Sequence, residues 1–152
     1  MIEKLKNIIR NKDVRNYFFR NFIKDNYKIL DLGCGNGNTG LIIKKLYPNV
    51  EYNGCDVLQL DVSKTNNFIY KQVDIDYGSL PYPDEYFDAI IFTHVIEHLK
   101  YPLKIGNEIN QILKHGGEFM LKRQTLLQSL FHPLDFTVNS ITLLIFTMTL
   151  HM

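Results

Sequence analysis

Apolar residues near the N-terminus recur at helical spacing. They lie three or four positions apart, with lysine and arginine residues between them: Ile2, Leu5, Ile8, Ile9, Val14, Tyr17, Phe18 and Phe22. Such a stripe gives a helix one apolar face that packs against a core. We therefore predict one or two amphipathic helices within residues 1–26.

The spacing of the apolar residues changes at Lys28. The short apolar run Ile29-Leu30 is followed by a glycine cluster at positions 33–37, and helical spacing then resumes until Pro48. Proline ends a helix because it has no N–H to donate and clashes with the preceding turn. The segment therefore predicts a buried strand, a tight glycine loop and a helix.

Four further strands are indicated by runs rich in valine, isoleucine, tyrosine and phenylalanine, at residues 51–57, 68–74, 87–95 and 119–121. Pro102 is expected to open a helix before the last of these strands, and Gly116-Gly117 to close it as a left-handed C-cap. Strands that alternate with helices favour right-handed crossovers. The predicted fold class is α/β, a doubly wound and mostly parallel sheet within residues 27–124.

Composition limits the classes of function. The 152 residues are 45% apolar, and the 17 lysine and arginine residues nearly balance the 16 acidic ones, which excludes a broad basic surface for sequence-independent nucleic-acid binding. Charges throughout residues 1–12 leave no signal-peptide core, and the longest apolar run, 141–150, is about half of a membrane span. We expect a cytoplasmic protein without a membrane span, in which Cys34 and Cys55 are free thiols.

Carboxylates follow three of the predicted strands. Asp31 precedes the glycine loop, Asp56 ends the second strand, and Asp74 and Asp76 follow the third. A carboxylate beside the loop suits a positively charged ligand better than an anionic pyrophosphate. Asp56 is placed to accept both hydroxyls of a ribose, and an acid after the third strand to meet the exocyclic amine of adenine. These are the requirements of a pocket for S-adenosylmethionine.

Four motifs resemble class I S-adenosylmethionine-dependent methyltransferases. Residues 29–37, Ile-Leu-Asp-Leu-Gly-Cys-Gly-Asn-Gly, look like the first motif of that family, and residues 52–57 are similar to the second. Residues 80–90 resemble the stretch that leads into strand four, and residues 113–117 the turn before strand five. The resemblance covers residues 27–121. It implies a Rossmann-like methyltransferase fold that uses S-adenosylmethionine as methyl donor.

The resemblance also implies which residues bind this cofactor. Asp74 is favoured over Asp76 as the acid that contacts adenine, because Asp74 ends the predicted strand. The expected cofactor-binding residues are Asp31, Gly33, Cys34, Gly35, Gly37, Asp56, Val57, Asp74, Ile75, Asp76 and Thr93.

A pair of histidines follows the fourth strand. The run Val95-Ile96-Glu97-His98-Leu99 resembles a signature of quinone and glycan O-methyltransferases. In small-RNA 2′-O-methyltransferases and some quinone O-methyltransferases, a Glu-x-x-Glu-His version of it binds a divalent metal. This chain has His94 where those enzymes have the first glutamate, which disfavours a hard cation such as Mg²⁺.

Three interpretations of this segment are open. The first is a metal site made of His94, Glu97, His98 and the distant His132, if helical spacing places the first three on one face. In the second, His94 or His98 is the catalytic general base that removes a hydroxyl proton. In the third, Glu97 and His98 cap a helix and orient the loop over the cofactor. We favour the third, then the second, and do not expect a divalent metal.

Residues 125–152 depart from the resemblance and form an atypical tail. Class I methyltransferases continue after strand five with a helix and an antiparallel strand pair. Residues 140–144 resemble the start of that helix, but residues 145–150 lack its polar face. We therefore expect a C-terminal truncation with a partial helix and no final strand pair, which leaves strand five as an exposed edge unless the tail or a partner covers it.

Two functions are predicted. The first is S-adenosylmethionine-dependent O-methylation of a small metabolite, glycan or quinone. Strand four lacks the Asn/Asp-Pro-Pro motif of DNA amino-methyltransferases, and no nucleic-acid-binding region is apparent. The alternative is a truncated, non-catalytic cofactor-binding or interaction domain. Its apolar tail, residues 141–150, would form a homodimer through the exposed sheet edge.

Overall fold

The computed structural model describes residues 14–61, 68–122 and 143–147, the last as backbone. Its helices are α1 (Val14–Phe22), α2 (Asn38–Leu46) and α3 (Pro102–Ile112), with a 3₁₀ turn at Ile96–His98. Its strands are β1 (Lys28–Leu32), β2 (Glu51–Asp56), β3 (Ile69–Gln72), β4 (Phe87–Thr93), β5 (Leu113–Lys122) and β6 (Leu143–Thr147). The helix predicted near the N-terminus is confirmed by α1, and residues 1–13 lie outside the described part.

The strands form one sheet in the order β3-β2-β1-β4-β5-β6. Strands β1 to β5 are parallel, which confirms the predicted doubly wound α/β fold. In the register of the central strands, Leu32 lies beside both Cys55 and Phe92. The carboxyl ends of β1, β2 and β4 therefore meet at one edge of the sheet, where ligands of such folds bind.

The sheet separates two apolar cores. On one face, Phe18 and Phe19 of α1 pack with Met120 of β5 and with Ile43 of α2. On the other face, the Ile105 side of α3 packs against β1 and β4. Strands covered on both faces are apolar throughout rather than alternating, which is why β4 was recognisable as a buried strand from its composition.

Several predicted element ends are wrong. Strand β3 ends at Gln72 rather than at residue 74, and β5 begins at Leu113 rather than at residue 119. The helix α3 ends at Ile112 and β5 begins at once, so Gly116-Gly117 lies within β5 rather than at a helix C-cap. The pairing with β4 shifts between Leu113 and Glu118, and Gly116 takes the left-handed φ of 74° inside this irregularity. The glycine pair thus makes a bulge in the strand, where the extra residues have no partners. Strand β4 ends at Thr93, before the predicted Val95.

The described part of the tail is a strand, so the helix expected to begin at residues 140–144 does not extend over Leu143–Thr147. Strand β6 pairs antiparallel with β5, with Phe146 beside Phe119 and Leu144 beside Leu121. The edge of β5 is therefore covered by the tail of the same chain, and one antiparallel strand is present where the whole final pair was expected to be missing. A continuous apolar run without a polar face is typical of such a strand.

Candidate functional site

The glycine loop between β1 and α2 runs close beneath the segment that follows β4. Gly33 and Gly37 have left-handed φ values of 73° and 76°, which side chains rarely adopt. A Cβ atom at Gly33 would collide with Val95, and one at Gly37 with the ring of Phe68. The N–H groups of Gly33 and Cys34 both donate to the carbonyl of Cys55, which fastens the loop to β2.

Asp56, at the end of β2, faces this loop. One carboxylate oxygen accepts the N–H of Gly35 at 2.8 Å, and the other accepts the N–H of Leu58 at 3.0 Å. The half-buried side chain also lines the cleft above the loop. Each carboxylate oxygen has further lone pairs, so Asp56 can accept hydrogen bonds from a ligand while it holds the loop.

Asp74 and Asp76, after β3, have different surroundings. The carboxylate of Asp76 accepts the backbone N–H groups of Lys100 at 2.9 Å and Tyr101 at 3.2 Å, and so holds the start of α3. The carboxylate of Asp74 is exposed at the cleft, where it accepts the N–H of Asp76 at 3.1 Å. Asp74 is therefore the freer of the two to meet a ligand. It does not end β3, which stops at Gln72, and its assignment to adenine stays a prediction.

These residues enclose a cleft of about 430 Å³ at the carboxyl edge of the sheet. Its volume is in the range of small-molecule sites. It is lined by Gly33, Asp56, Val57, Val73, Asp74, Ile75, Asp76, Tyr77, His94, Val95, His98 and Leu99. Six of the predicted cofactor-binding residues and both candidate catalytic histidines are thus brought together. Sequence reasoning did not assign Val73, Tyr77, Val95 and Leu99, although Val95 and Leu99 belong to the signature noted after strand four.

Five predicted cofactor residues lie outside the lining of this cleft. Gly35 and Gly37 shape the loop, and Thr93 ends β4 beside Lys122. Cys34 is buried against β2, and both Cys34 and Cys55 are free thiols, as predicted. Burial raises the pKa of both thiols, to about 12 for Cys55, so they remain protonated near neutral pH.

Asp31 lies below the cleft rather than in its lining. Its side chain is 2% exposed, and the Tyr52 hydroxyl donates a 2.5 Å hydrogen bond to its carboxylate. Burial raises the pKa of Asp31 to about 7, although the Tyr52 hydrogen bond and the charge of Arg15 lower it. A carboxyl group that titrates near neutral pH, directly under a ligand cleft, responds to the charge of whatever binds above it.

His94 does not belong to the helix expected after β4. It has a left-handed φ of 58°, and its N–H donates to the carbonyl of Lys122 at 2.7 Å. The 3₁₀ turn begins two residues later, so His94, Glu97 and His98 do not form one helical face. Partial burial, followed by the charge of Lys122, lowers the pKa of His94, which keeps the imidazole neutral near pH 7.

The described residues show neither a grouped metal site nor a side-chain cap at the 3₁₀ turn or at α3. Within residues 14–61 and 68–122, no three histidine, cysteine or acidic side chains are grouped to hold a metal, and His132 lies outside the described residues. The 3₁₀ turn and α3 have no side-chain cap among the described groups. Asp76 holds the segment before α3 by accepting the backbone N–H groups of Lys100 and Tyr101.

None of the described helices has the length and apolarity needed to cross a bilayer.

The family described as a methyltransferase domain matches residues 30–121, which include most of β1 and β5 and all of β2, β3, β4, α2 and α3. The chain belongs to this methyltransferase family.

Curated relatives of this methyltransferase domain differ in the atom that they methylate. An uncharacterised methyltransferase of Schizosaccharomyces pombe is 27% identical over 76% of this chain and 46% of its own. A sterol 24-C-methyltransferase of Gibberella zeae is 29% identical over 64% of this chain and 27% of its own. A malonyl-[acyl-carrier protein] O-methyltransferase of Herminiimonas arsenicoxydans is 27% identical over 74% and 42%. The chain spans less than half the length of each of these relatives.

Solved structures show the same fold. The YcgJ protein of Bacillus subtilis superimposes on this methyltransferase domain with a TM-score of 0.61, at 26% identity over 71% of this chain and 49% of its own. The [4+2]-cyclase SpnF superimposes with a TM-score of 0.64, at 24% identity over 72% and 44%. At 24% identity, the similarity to the cyclase shows a shared fold and nothing about activity.

Proposed function

We propose that this methyltransferase domain binds S-adenosylmethionine in the 430 Å³ cleft and transfers its methyl group to a hydroxyl of a small metabolite, glycan or quinone. The observation that supports this most directly is the meeting of Asp56, Asp74 and the glycine loop at one cleft. Backbone without a Cβ at Gly33 lets Val95 pack directly against the glycine loop, and both residues line the cleft. Two carboxylates then face the positions that a nucleoside needs for its ribose and its base.

Each residue has a role in this proposal. Asp56 accepts the ribose hydroxyls, and Asp74 accepts the exocyclic amine of adenine. Val57, Val73 and Leu99 give the base apolar surroundings within the cleft lining. Asp31, beneath the loop, offsets the positive charge at the methionine end.

The acceptor lies on the His94 side of the cleft. S-adenosylmethionine supplies an activated methyl group, so the protein needs mainly to align the acceptor and to take up its proton. His94 has a lowered pKa and is neutral near pH 7, which lets it accept the hydroxyl proton as a general base. His98, also in the lining, is the second candidate. The proposed reaction takes place in the cytoplasm and needs no divalent metal.

Calorimetric titration with S-adenosylhomocysteine and S-adenosylmethionine tests the cofactor site. We expect saturable binding of both, with a stoichiometry of one per chain. The absence of binding at millimolar ligand would refute the proposal. A panel of hydroxylated acceptors with radiolabelled S-adenosylmethionine then tests transfer, with carboxylic, amine and carbon acceptors included because the relatives differ in the atom methylated.

A second candidate function is cofactor binding without methyl transfer. In this alternative the cleft holds the cofactor, and His94, whose backbone N–H is bonded to the carbonyl of Lys122, takes up no proton. This second function would be identified by binding of S-adenosylhomocysteine together with no methylation of any acceptor class. The dimer suggested for this alternative is tested by light scattering. Because β6 already covers β5, the proposed interface would have to use a surface other than that edge.

A further inference from the structure

The last residue of β5, Lys122, stands beside the proposed acceptor end of the cleft. In the register of the parallel pair it lies next to Thr93, and its carbonyl accepts the N–H of His94 at 2.7 Å. His94 in turn lines the cleft. The backbone of Lys122 is therefore fixed one strand away from the candidate base.

The side chain of Lys122 projects toward α1. Side chains of a strand alternate between its two faces, so Lys122 shares a face with Met120. Met120 is fully buried in the core that Phe18 and Phe19 of α1 form on that face. Lys122 therefore lies on the α1 face of β5, at the carboxyl edge of the sheet, and is half-buried there.

Arg15 comes to the same place from α1. It precedes Phe18 by three residues and Phe19 by four, so all three share one helical face. The helix runs antiparallel to the strands, because only residues 23–27 separate its end at Phe22 from the start of β1 at Lys28, at the amino edge of the sheet. The N-terminal turn that carries Arg15 therefore lies toward the carboxyl edge, and the charge of Arg15 accordingly acts on Lys122. Two cationic groups therefore converge above the ends of β4 and β5.

The other ionisable groups around this pair are His94, Glu97 and Asp31. His94 is neutral near pH 7, and Glu97 acts on His94. Asp31 is buried below and titrates at about 7. The shift of the Lys122 ammonium comes from burial and from the Arg15 charge, and both lower its pKa. Lys122 is half-buried and Arg15 is exposed. Two like charges held near each other repel, and an anion that binds between them relieves this repulsion.

We propose that Arg15 and Lys122 form a binding site for an anionic group of the methyl acceptor, a carboxylate or a phosphate, held next to His94. This rests on the proposed function, which places the acceptor at this end of the cleft. A guanidinium gives an oxyanion two parallel hydrogen bonds and an ammonium adds a point charge, so together they hold the group in one orientation. The acceptor class is thereby narrowed from hydroxylated molecules in general to those that also bear a negative charge.

The test uses small anions as probes on the whole chain, saturated with S-adenosylhomocysteine. Acetate and methyl phosphate are titrated separately at constant ionic strength, with chloride as the balancing salt, and the amide signals of His94 and Lys122 are followed by NMR. We expect saturable shifts of these signals with at least one probe. The probe that binds tells whether the site takes carboxylates or phosphates.

Variants assign the binding to the two cations. R15Q and K122Q should each lower the affinity for the anion that binds about fivefold or more. R15K and K122R should keep most of that affinity. R20Q, on an exposed part of α1, and K45Q, in the last turn of α2, are the matched controls and should not change it. Shifts that do not saturate, or that persist in R15Q and K122Q, would overturn the proposal. The amide spectrum of each variant shows whether it is folded.

Failure of this proposal is distinguishable from failure of the proposed function. If S-adenosylhomocysteine does not bind, the cofactor assignment fails, and the anion titration on the free protein still reports on Arg15 and Lys122. If S-adenosylhomocysteine binds but neither anion does, the cofactor site stands and the acceptor class proposed here is wrong.

Discussion

The hydroxyl of Tyr52 donates a 2.5 Å hydrogen bond to the buried carboxylate of Asp31. The two residues lie on adjacent strands, and their side chains meet on the α1 face of the sheet, under the glycine loop. Burial raises the pKa of both groups, and the charge of Asp31 adds to the shift of Tyr52. We therefore expect the binding of a charged ligand in the cleft to change the protonation of Asp31.

The raised pKa of Asp31 should make the free energy of unfolding decrease as the pH rises. The pKa of Asp31 is about 7 in the folded protein and near its ordinary value of 3.8 when unfolded. Between these values the folded state holds a proton that the unfolded state has lost, so the free energy of unfolding decreases toward pH 7. Each unit of pKa difference corresponds to about 1.4 kcal/mol. Urea denaturation at pH 5 and pH 8 measures the loss, which we expect to be a few kcal/mol.

The Asp31→Asn variant separates this effect from other titrations. An amide can still accept the Tyr52 hydrogen bond but carries no charge, so the variant should lose most of the pH dependence and exceed the wild-type stability at pH 8. Asp84→Asn, at an exposed position, is the control and should behave like the wild type. An unchanged pH profile in Asp31→Asn would show that Asp31 is not the group responsible.

Cofactor binding should release protons from Asp31. A cationic ligand above the carboxyl group favours its ionised form, which lowers its pKa. Since that pKa is about 7, binding at pH 7 can release up to about half a proton. Calorimetry in two buffers of different ionisation enthalpy gives the number released. S-adenosylmethionine, with its sulfonium, should release more than S-adenosylhomocysteine, and Asp31→Asn should release almost none.

Asp56→Ala should weaken cofactor binding roughly ten- to a hundredfold. Hydrogen bonds to charged groups contribute about 1.5–3 kcal/mol, and the variant removes the charged acceptor for the ribose hydroxyls. Calorimetry with S-adenosylhomocysteine measures the change, and circular dichroism shows that the fold persists. Asp84→Ala is the matched control. If affinity is unchanged in Asp56→Ala, the carboxylate serves only the Gly35 and Leu58 amides.

His94→Ala should reduce turnover about 10²- to 10⁴-fold while cofactor affinity stays close to that of the wild type. A general base works when it is neutral, so the wild-type rate falls as pH decreases through the His94 pKa. That pKa is lowered from 6.5, and the acid limb of the pH–rate profile should lie below that value. An acid limb that survives in His94→Ala would point to His98 instead.

Chelation and Glu97→Ala test the metal interpretation. If His94 acts as a base without metal, a chelator should leave the rate unchanged, and Glu97→Ala should keep most of it. Loss of one ligand normally collapses a bound-metal site. Abolished transfer in the presence of chelator, with the cofactor still bound, would establish a metal site and would make His132 its candidate fourth ligand.

The grouping of six candidate cofactor residues at one cleft could be predicted because the parts of this cleft are local in sequence. The glycine loop needs left-handed backbone at fixed positions, and Asp56 and Asp74 follow strands that are apolar enough to identify. Parallel pairing then brings the strand ends together without further information. The choice of Asp74 over Asp76 stays a prediction: β3 ends at Gln72, before both residues, and what distinguishes them in the structure is that Asp76 is engaged with the amides before α3.

The remaining features depend on contacts between distant segments. Whether Asp31 faces a ligand or the core is decided by Tyr52 and α1. The left-handed turn at His94 and its bond to Lys122 depend on the register of β5, which the glycine bulge shifts. The meeting of Arg15 and Lys122 requires the direction of α1 across the sheet. Helical spacing alone therefore suggested a shared face for His94, Glu97 and His98 that the chain does not form.

The carboxylate of Asp76 joins the two walls of the cleft, since it belongs to the loop after β3 and holds the backbone just before α3. A displacement of one wall is consequently transmitted to the other. Under the proposed function, we expect substitutions that move Lys100 or Tyr101 to alter the fit of the proposed nucleoside as well. We therefore expect laboratory evolution toward a new acceptor to require changes in both segments, or first the replacement of Asp76, which would let them move independently.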